Sequence, residues 1–189
     1  RTKLGPINLL AEYRMGSRRF VFNYWDRAYD VNRVSVINLD TGTEVATREN
    51  QLYLFGKLNG FYAQADMSVM NLFSLSSGYQ NMQGEKWDDE LDEYKTGATN
   101  QTFLSTIAIN PSLIPKVGKA EVFYQQSNVP NPFDFTPTPS TLWGYNVGVE
   151  VSSGVMLMYK ARTTYISDLD NPGEFKPVES IQIETQFIF

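Results

Sequence analysis

The chain contains no cysteine and no histidine. Without cysteine there is no disulfide framework, no zinc ribbon and no thiol nucleophile. Without histidine there is no Ser-His-Asp relay and no imidazole metal site. Long hydrophobic runs are missing too. The longest are a few residues, against the roughly 20 that a transmembrane helix requires. Helical spans are therefore excluded, but strands that hide their apolar half by alternation are not. A formal net charge of −5 argues against a nucleic-acid partner. The sequence opens on Arg1, with neither methionine nor a secretory signal, which reads as processing or a fragment.

What is present is alternation. In Ile181–Phe189 the odd positions carry Ile181, Ile183, Thr185, Phe187 and Phe189. The even positions carry Gln182, Glu184 and Gln186. A period of two sends the two sets to opposite faces of a strand. The same sidedness runs through Trp143, Tyr145, Val147 and Val149 against Gly144, Asn146, Gly148 and Glu150. After the Ser153-Gly154 turn, Val155, Leu157 and Tyr159 oppose Met156, Met158, Lys160 and Arg162. Nine segments of this kind are expected, at 4–14, 18–28, 50–58, 60–72, 102–110, 119–126, 141–152, 155–166 and 179–189. A tight turn at Met15-Gly16-Ser17 is expected to join the first two, and Asn59-Gly60 is the strongest short-range hairpin signal. A further hairpin is expected within 29–47, turning at Asp40-Thr41-Gly42.

The acidic stretch 74–100 reads as a long loop, with Trp87, Leu91 and Tyr94 at helical spacing suggesting a short helical piece. Residues 127–140 hold four prolines and read as a loop. On this reading short connections (15–17, 59–60, 111–118, 153–154) alternate strictly with long ones (29–47, 74–100, 127–140, 167–177). Aromatics make up 14% of the chain, with 11 Tyr and 12 Phe. Interfacial girdles use such residues, and so does the core of a β-sandwich.

These features resemble the C-terminal part of a bacterial outer-membrane β-barrel of the porin-like kind. The Ile181–Phe189 strand, the 141–152/155–166 hairpin and the Leu4–Tyr13 segment carry the resemblance. It implies a single antiparallel transmembrane β-barrel domain over 1–189, incomplete at its N-terminus, with short periplasmic turns and long extracellular loops. Nine strands are odd where bacterial barrels are even, which suggests upstream strands and a larger barrel of roughly 14–18. The resemblance further implies an outer-membrane location, contact with its lipid, and recognition of Phe189 by the barrel assembly machinery. A homo-oligomer or association with other envelope proteins is compatible with it.

In such a barrel Trp143, Tyr145, Val147, Val149, Val155, Leu157, Tyr159, Ile183 and Phe187 face lipid. Glu12, Arg14, Arg19, Lys57, Asp66, Lys119, Glu121, Glu150, Lys160, Arg162 and Glu184 line the lumen. Lys160 and Arg162, two apart on one strand, form a candidate basic stripe that would tune ion selectivity. The blander reading is a mutually neutralising network of ion pairs. The acidic cluster Asp88, Asp89, Glu90, Asp92 and Glu93 could hold a hard cation, but a solvated loop explains it as well. Asp168–Glu174 lacks the ligand spacing of a calcium loop and reads as a turn. No catalytic pair, cofactor motif or metal site is expected. The functional expectation is passive passage of small polar solutes. A plugged barrel that binds a partner is the first alternative, and a soluble β-sandwich that binds carbohydrate is the second.

Overall fold

A computed structural model describes residues 1–27, 29, 33–39, 42–168, 171 and 173–187. Most of the described residues are strand: β1 (Thr2–Leu4), β2 (Ile7–Gly16), β3 (Val34–Leu39), β4 (Gly42–Thr47), β5 (Phe55–Val69), β6 (Phe73–Asp88), β7 (Glu93–Ile109), β8 (Val117–Val129), β9 (Thr141–Ser152), β10 (Val155–Ser167) and β11 (Phe175–Phe187). Nine of them form one antiparallel sheet in the order β1-β2-β5-β6-β7-β8-β9-β10-β11, and β3 and β4 pair as a separate hairpin. Every strand of the sheet lies beside its successor apart from the excursion through β3 and β4, as short connections favour. The sheet is not closed; β1 and β11 are its edges.

The pairs expected at 141–152 and 155–166 are present, with Tyr145 opposite Ala161 and Asn146 opposite Lys160. The 29–47 hairpin is present as β3 and β4. Asp40 and Thr41 of its turn lie outside the described residues, as does Phe189.

Several expectations are corrected. Of the strand expected at 18–28, residues 18–27 are turns and irregular backbone instead, with Arg19 and Asn23 at φ of 65° and 57°; Ala28 lies outside the described residues. Two left-handed residues four apart turn the backbone out of an extended run. The first hairpin instead turns at Gly5-Pro6, with Gly5 at φ 59°, within the segment expected to be one strand. Asn59-Gly60 is not a turn but the middle of β5. Gly60 is needed there because a β-carbon would lie 1.9 Å from the Asn81 carbonyl oxygen; pairing with the neighbouring strand overrides the local turn preference. Residues 74–100 are not a loop but most of β6 and β7, turned at 89–92 with Asp92 at φ 54°. Trp87 and Tyr94 meet across that hairpin, ring centroids 4.9 Å apart, so their spacing of seven reflects the hairpin rather than a helix. Strict alternation of connection lengths fails at this same turn, which is short where a long loop was expected.

The chain divides into two compact units, residues 1–12, 62–80 and 101–189, and residues 13–61 and 81–100. In the first, the two faces of the sheet differ sharply. On β9 the row Leu142, Gly144, Asn146 and Gly148 is buried, whereas Trp143, Tyr145 and Val149 are 42%, 40% and 40% exposed. On β10 Met156 and Met158 are buried and Leu157 is exposed. Register carries the exposed face across the sheet: Val122 lies opposite Tyr145, and Tyr159 lies opposite Ile183. Among the described residues no second protein layer covers it. The second unit has its own buried groups, Leu58, Met82 and Ala46. There Arg48 donates to both oxygens of Asp26, at 3.0 and 3.4 Å, with its guanidinium over the rings of Tyr24 and Tyr29. Burial pushes the Tyr24 phenol above its ordinary pKa.

Candidate functional site

The site is a pair of faces on one sheet rather than a pocket. The apolar face of the first unit gathers Val122, Trp143, Tyr145, Val149, Leu157, Ile181, Ile183 and Phe187, all exposed. Tyr145 and Tyr159 stack across β9 and β10 with centroids 6.0 Å apart. Val147 and Val155, named with this row from the sequence, are half-buried on their strands.

An aromatic group marks one end of that face. Phe133, in a 3₁₀ turn at Pro132–Asp134, lies 5.3 Å from both Tyr79 and Phe103. Phe135 lies 5.7 Å from Tyr124. Gln126, almost wholly buried, donates its side-chain amide to the Thr136 carbonyl at 2.7 Å. The proline-rich connection is thus a loop, as expected, but one folded onto the sheet. Phe133 and Phe135 remain 50% and 58% exposed on that loop.

The opposite face is polar and locally neutral. Glu121 accepts from Asn146 Nδ2 at 2.7 Å and pairs with Lys119 at 3.1 Å. Lys160 Nζ pairs with Glu184 at 2.5 Å. Four of the expected charges are therefore joined in two pairs, and Lys160 does not form a free stripe with Arg162. Arg162 sits between Gly144 and Ser180 in register, with no side-chain partner among the described residues. Asp66 accepts from Gln64 Nε2 at 2.8 Å and Ser76 Oγ at 2.6 Å. Gln64 in turn accepts from Tyr62 Oη at 2.8 Å. The gaps on this face are filled by side chains. A β-carbon at Gly148 would meet the sulfurs of Met158 and Met156 at 2.5 and 2.6 Å, and one at Gly144 would meet the Phe123 ring at 3.1 Å.

The remaining expected positions scatter. Arg19 is corrected outright: it lies in a turn, exposed, its backbone N–H bonded to the Phe55 carbonyl. Lys57 neighbours the buried Leu58 and so lies on the opposite face of β5 from it. Glu12 and Glu150 are exposed on their strands. Arg14 lies over the Phe22 ring, 5.2 Å from its centroid.

The acidic hairpin does not gather into a metal site. Asp88 accepts from the amides of Glu90 and Leu91 and pairs with Lys95 at 2.7 Å, and no group of metal-binding side chains converges among the described residues. Asp168 bonds Asn171 Nδ2 at 3.0 Å; Asp170 and Pro172 lie outside the described residues. In the second unit Arg18 grips Glu85 with two bonds, 2.8 and 3.1 Å, and lies 4.3 Å from the Tyr94 ring centroid.

No family model matches the chain, and neither does any curated protein or solved structure.

Proposed function

We propose that the chain forms the wall of a membrane β-barrel of the bacterial outer-membrane kind, with a filled interior that anchors and displays its connecting loops. The observation that carries this is the sidedness of β9. Its aromatic and branched row is exposed while its glycine and asparagine row is buried. A sheet in water buries its apolar face. One in lipid turns that face outward and keeps its polar residues inside. The aromatic group at the end of the apolar face fits the girdle that such barrels place at the lipid boundary.

Filling follows from the polar face. Met156, Met158 and Phe123 occupy the spaces over the glycines, and the charges Lys119, Glu121, Lys160 and Glu184 are paired side to side. Porin-like passage of small polar solutes is the second reading, favoured by Arg162, which is half-exposed and without a side-chain partner among the described residues. Planar-bilayer recording after reconstitution separates the two. The filled barrel gives no stable unitary conductance. Reproducible steps, altered in ion selectivity by Arg162→Gln, would establish the channel.

A further inference from the structure

Within the first unit three short connections, at 69–73, 109–117 and 152–155, leave the same end of the sheet, because consecutive strands run antiparallel. The third turns on Ser153-Gly154, polar and small as a hairpin tip in water should be. The other two are of a different kind. The first is closed by the Leu72 N–H on the Val69 carbonyl at 2.8 Å, with Met70 and Asn71 at φ of 49° and 54°. Positive φ at both central positions favours Asn and Gly, which accounts for Asn71 but not for Met70. Met70 is nevertheless 86% exposed, and Leu72 after it is exposed too, as are Leu113 and Ile114 on the second connection. Hydrogen bonds hold these side chains out. Asn110 donates its N–H to the Leu72 carbonyl at 2.8 Å and its Nδ2 to the Asn71 carbonyl at 2.7 Å. Its Oδ1 accepts from the N–H and Oγ of Ser112 at 3.1 and 2.9 Å. The two turns are thus one bonded platform carrying four exposed apolar side chains.

We propose that this platform is a lipid-binding surface. The turns at 69–73 and 109–117 sit in the headgroup layer rather than projecting into water, with Met70, Leu72, Leu113 and Ile114 against acyl chains and Lys116 among lipid phosphates. The inference rests on the membrane reading above and adds to it where this end of the wall stops. Two observations choose lipid as the occupant. The patch continues the exposed apolar face: Tyr145 lies opposite Val122 and Val122 opposite Ile107, and the exposed Ile109 follows on the same side of β7, directly before the second turn. Charge agrees with this. Lys116 is the single charged residue in the two connections, and neither contains an acid, so anionic headgroups attract one group there and repel none. Glu150 is tied to the second turn by its backbone, its N–H donating to the Lys116 carbonyl at 2.7 Å, while its side chain belongs to the polar row of β9. Apolar side chains beside a cation are what an interfacial surface presents to lipid.

The absence of cysteine provides a blank background for the test. Met70→Cys, Leu113→Cys and, as the polar-turn control, Ser153→Cys are each made in the full-length chain and labelled with a nitrobenzoxadiazole dye. The labelled proteins are inserted into liposomes of phosphatidylcholine and phosphatidylglycerol and checked for flotation with them. Emission is then read with and without a headgroup-proximal nitroxide lipid, and with iodide in the water. The platform predicts that the dyes at 70 and 113 emit at shorter wavelength than the dye at 153 and lose more intensity to the nitroxide lipid. Floating protein in which positions 70 and 113 are indistinguishable from 153 overturns the lipid-binding surface and leaves the membrane reading standing. Dyes at 70 and 113 that are shielded from iodide yet untouched by the nitroxide lipid overturn it as well, since protein then covers the patch. Protein that does not float overturns the membrane reading, and this surface with it.

Discussion

A β-carbon at Gly144 would lie 2.2 Å from the Ala161 carbonyl oxygen, whereas at Gly148 the nearest atoms are the sulfurs of two methionines. Backbone cannot yield and a thioether can. Gly144→Ala is therefore expected to destabilise by about 1–3 kcal/mol, the range of overpacked interiors, and Gly148→Ala by clearly less. Urea titration of the refolded protein in detergent micelles reads both, and equal losses would contradict the packing described here. The two arginine pairs of the second unit make a similar contrast. Arg48 and Asp26 are 18% and 9% exposed at their side chains, while Arg18 is 54% exposed against Glu85 at 22%. Removing one member of a buried pair costs about 3–5 kcal/mol, and an exposed pair contributes about 0–1 kcal/mol. Arg48→Met should sharply increase protease cleavage within residues 17–54, and Arg18→Met should leave the cleavage rate nearly unchanged.

At the scale of the strand, alternation made β9 and β10 legible, because each carries an apolar row and is bounded by turn residues; β11 was legible from Ile181 onward, but it begins at Phe175, inside the expected loop, and Glu179 interrupts its row. The same cue failed where the ladder continued without an apolar row. In β6 beyond Tyr79 the residues are Gln80, Asn81, Met82, Gln83, Gly84, Glu85 and Lys86. Nothing in that composition distinguishes a strand from a loop, yet the backbone remains paired to Asp88. Gly60 misled for a related reason. Like Gly84, it is the contact point of two strands, a β-carbon at Gly84 falling 2.1 Å from the Lys57 carbonyl oxygen, and one sequence cannot show which backbone will approach. The polar face was legible as composition but not as pairing, since the partner of Lys160 lies on another strand. The apolar row has its own test. Val147→Lys places a charge in the middle of it, which costs about 2–4 kcal/mol at the centre of a bilayer. Its yield of liposome-inserted protein should fall well below that of Gln182→Lys on the polar face; equal yields would mean that the row does not meet hydrocarbon.

At the scale of the whole chain, the described residues present a nine-stranded sheet, with one exposed apolar face and one buried polar face in its first unit. A closed barrel in lipid would satisfy the edges of that sheet as well as its faces, since unpaired backbone groups are not tolerated in hydrocarbon. Closure should appear as heat-modifiable migration in detergent gels, the unboiled protein running apart from the boiled; identical mobility would argue for an open sheet. The most direct measurement concerns Trp143. With Trp25→Phe and Trp87→Phe it becomes the only tryptophan of the three, and its fluorescence can be read in liposomes of brominated phosphatidylcholine. Strong quenching, absent in unbrominated lipid, is the predicted result. Fluorescence indifferent to bromine, from protein that remains in aqueous solution without detergent, would contradict it.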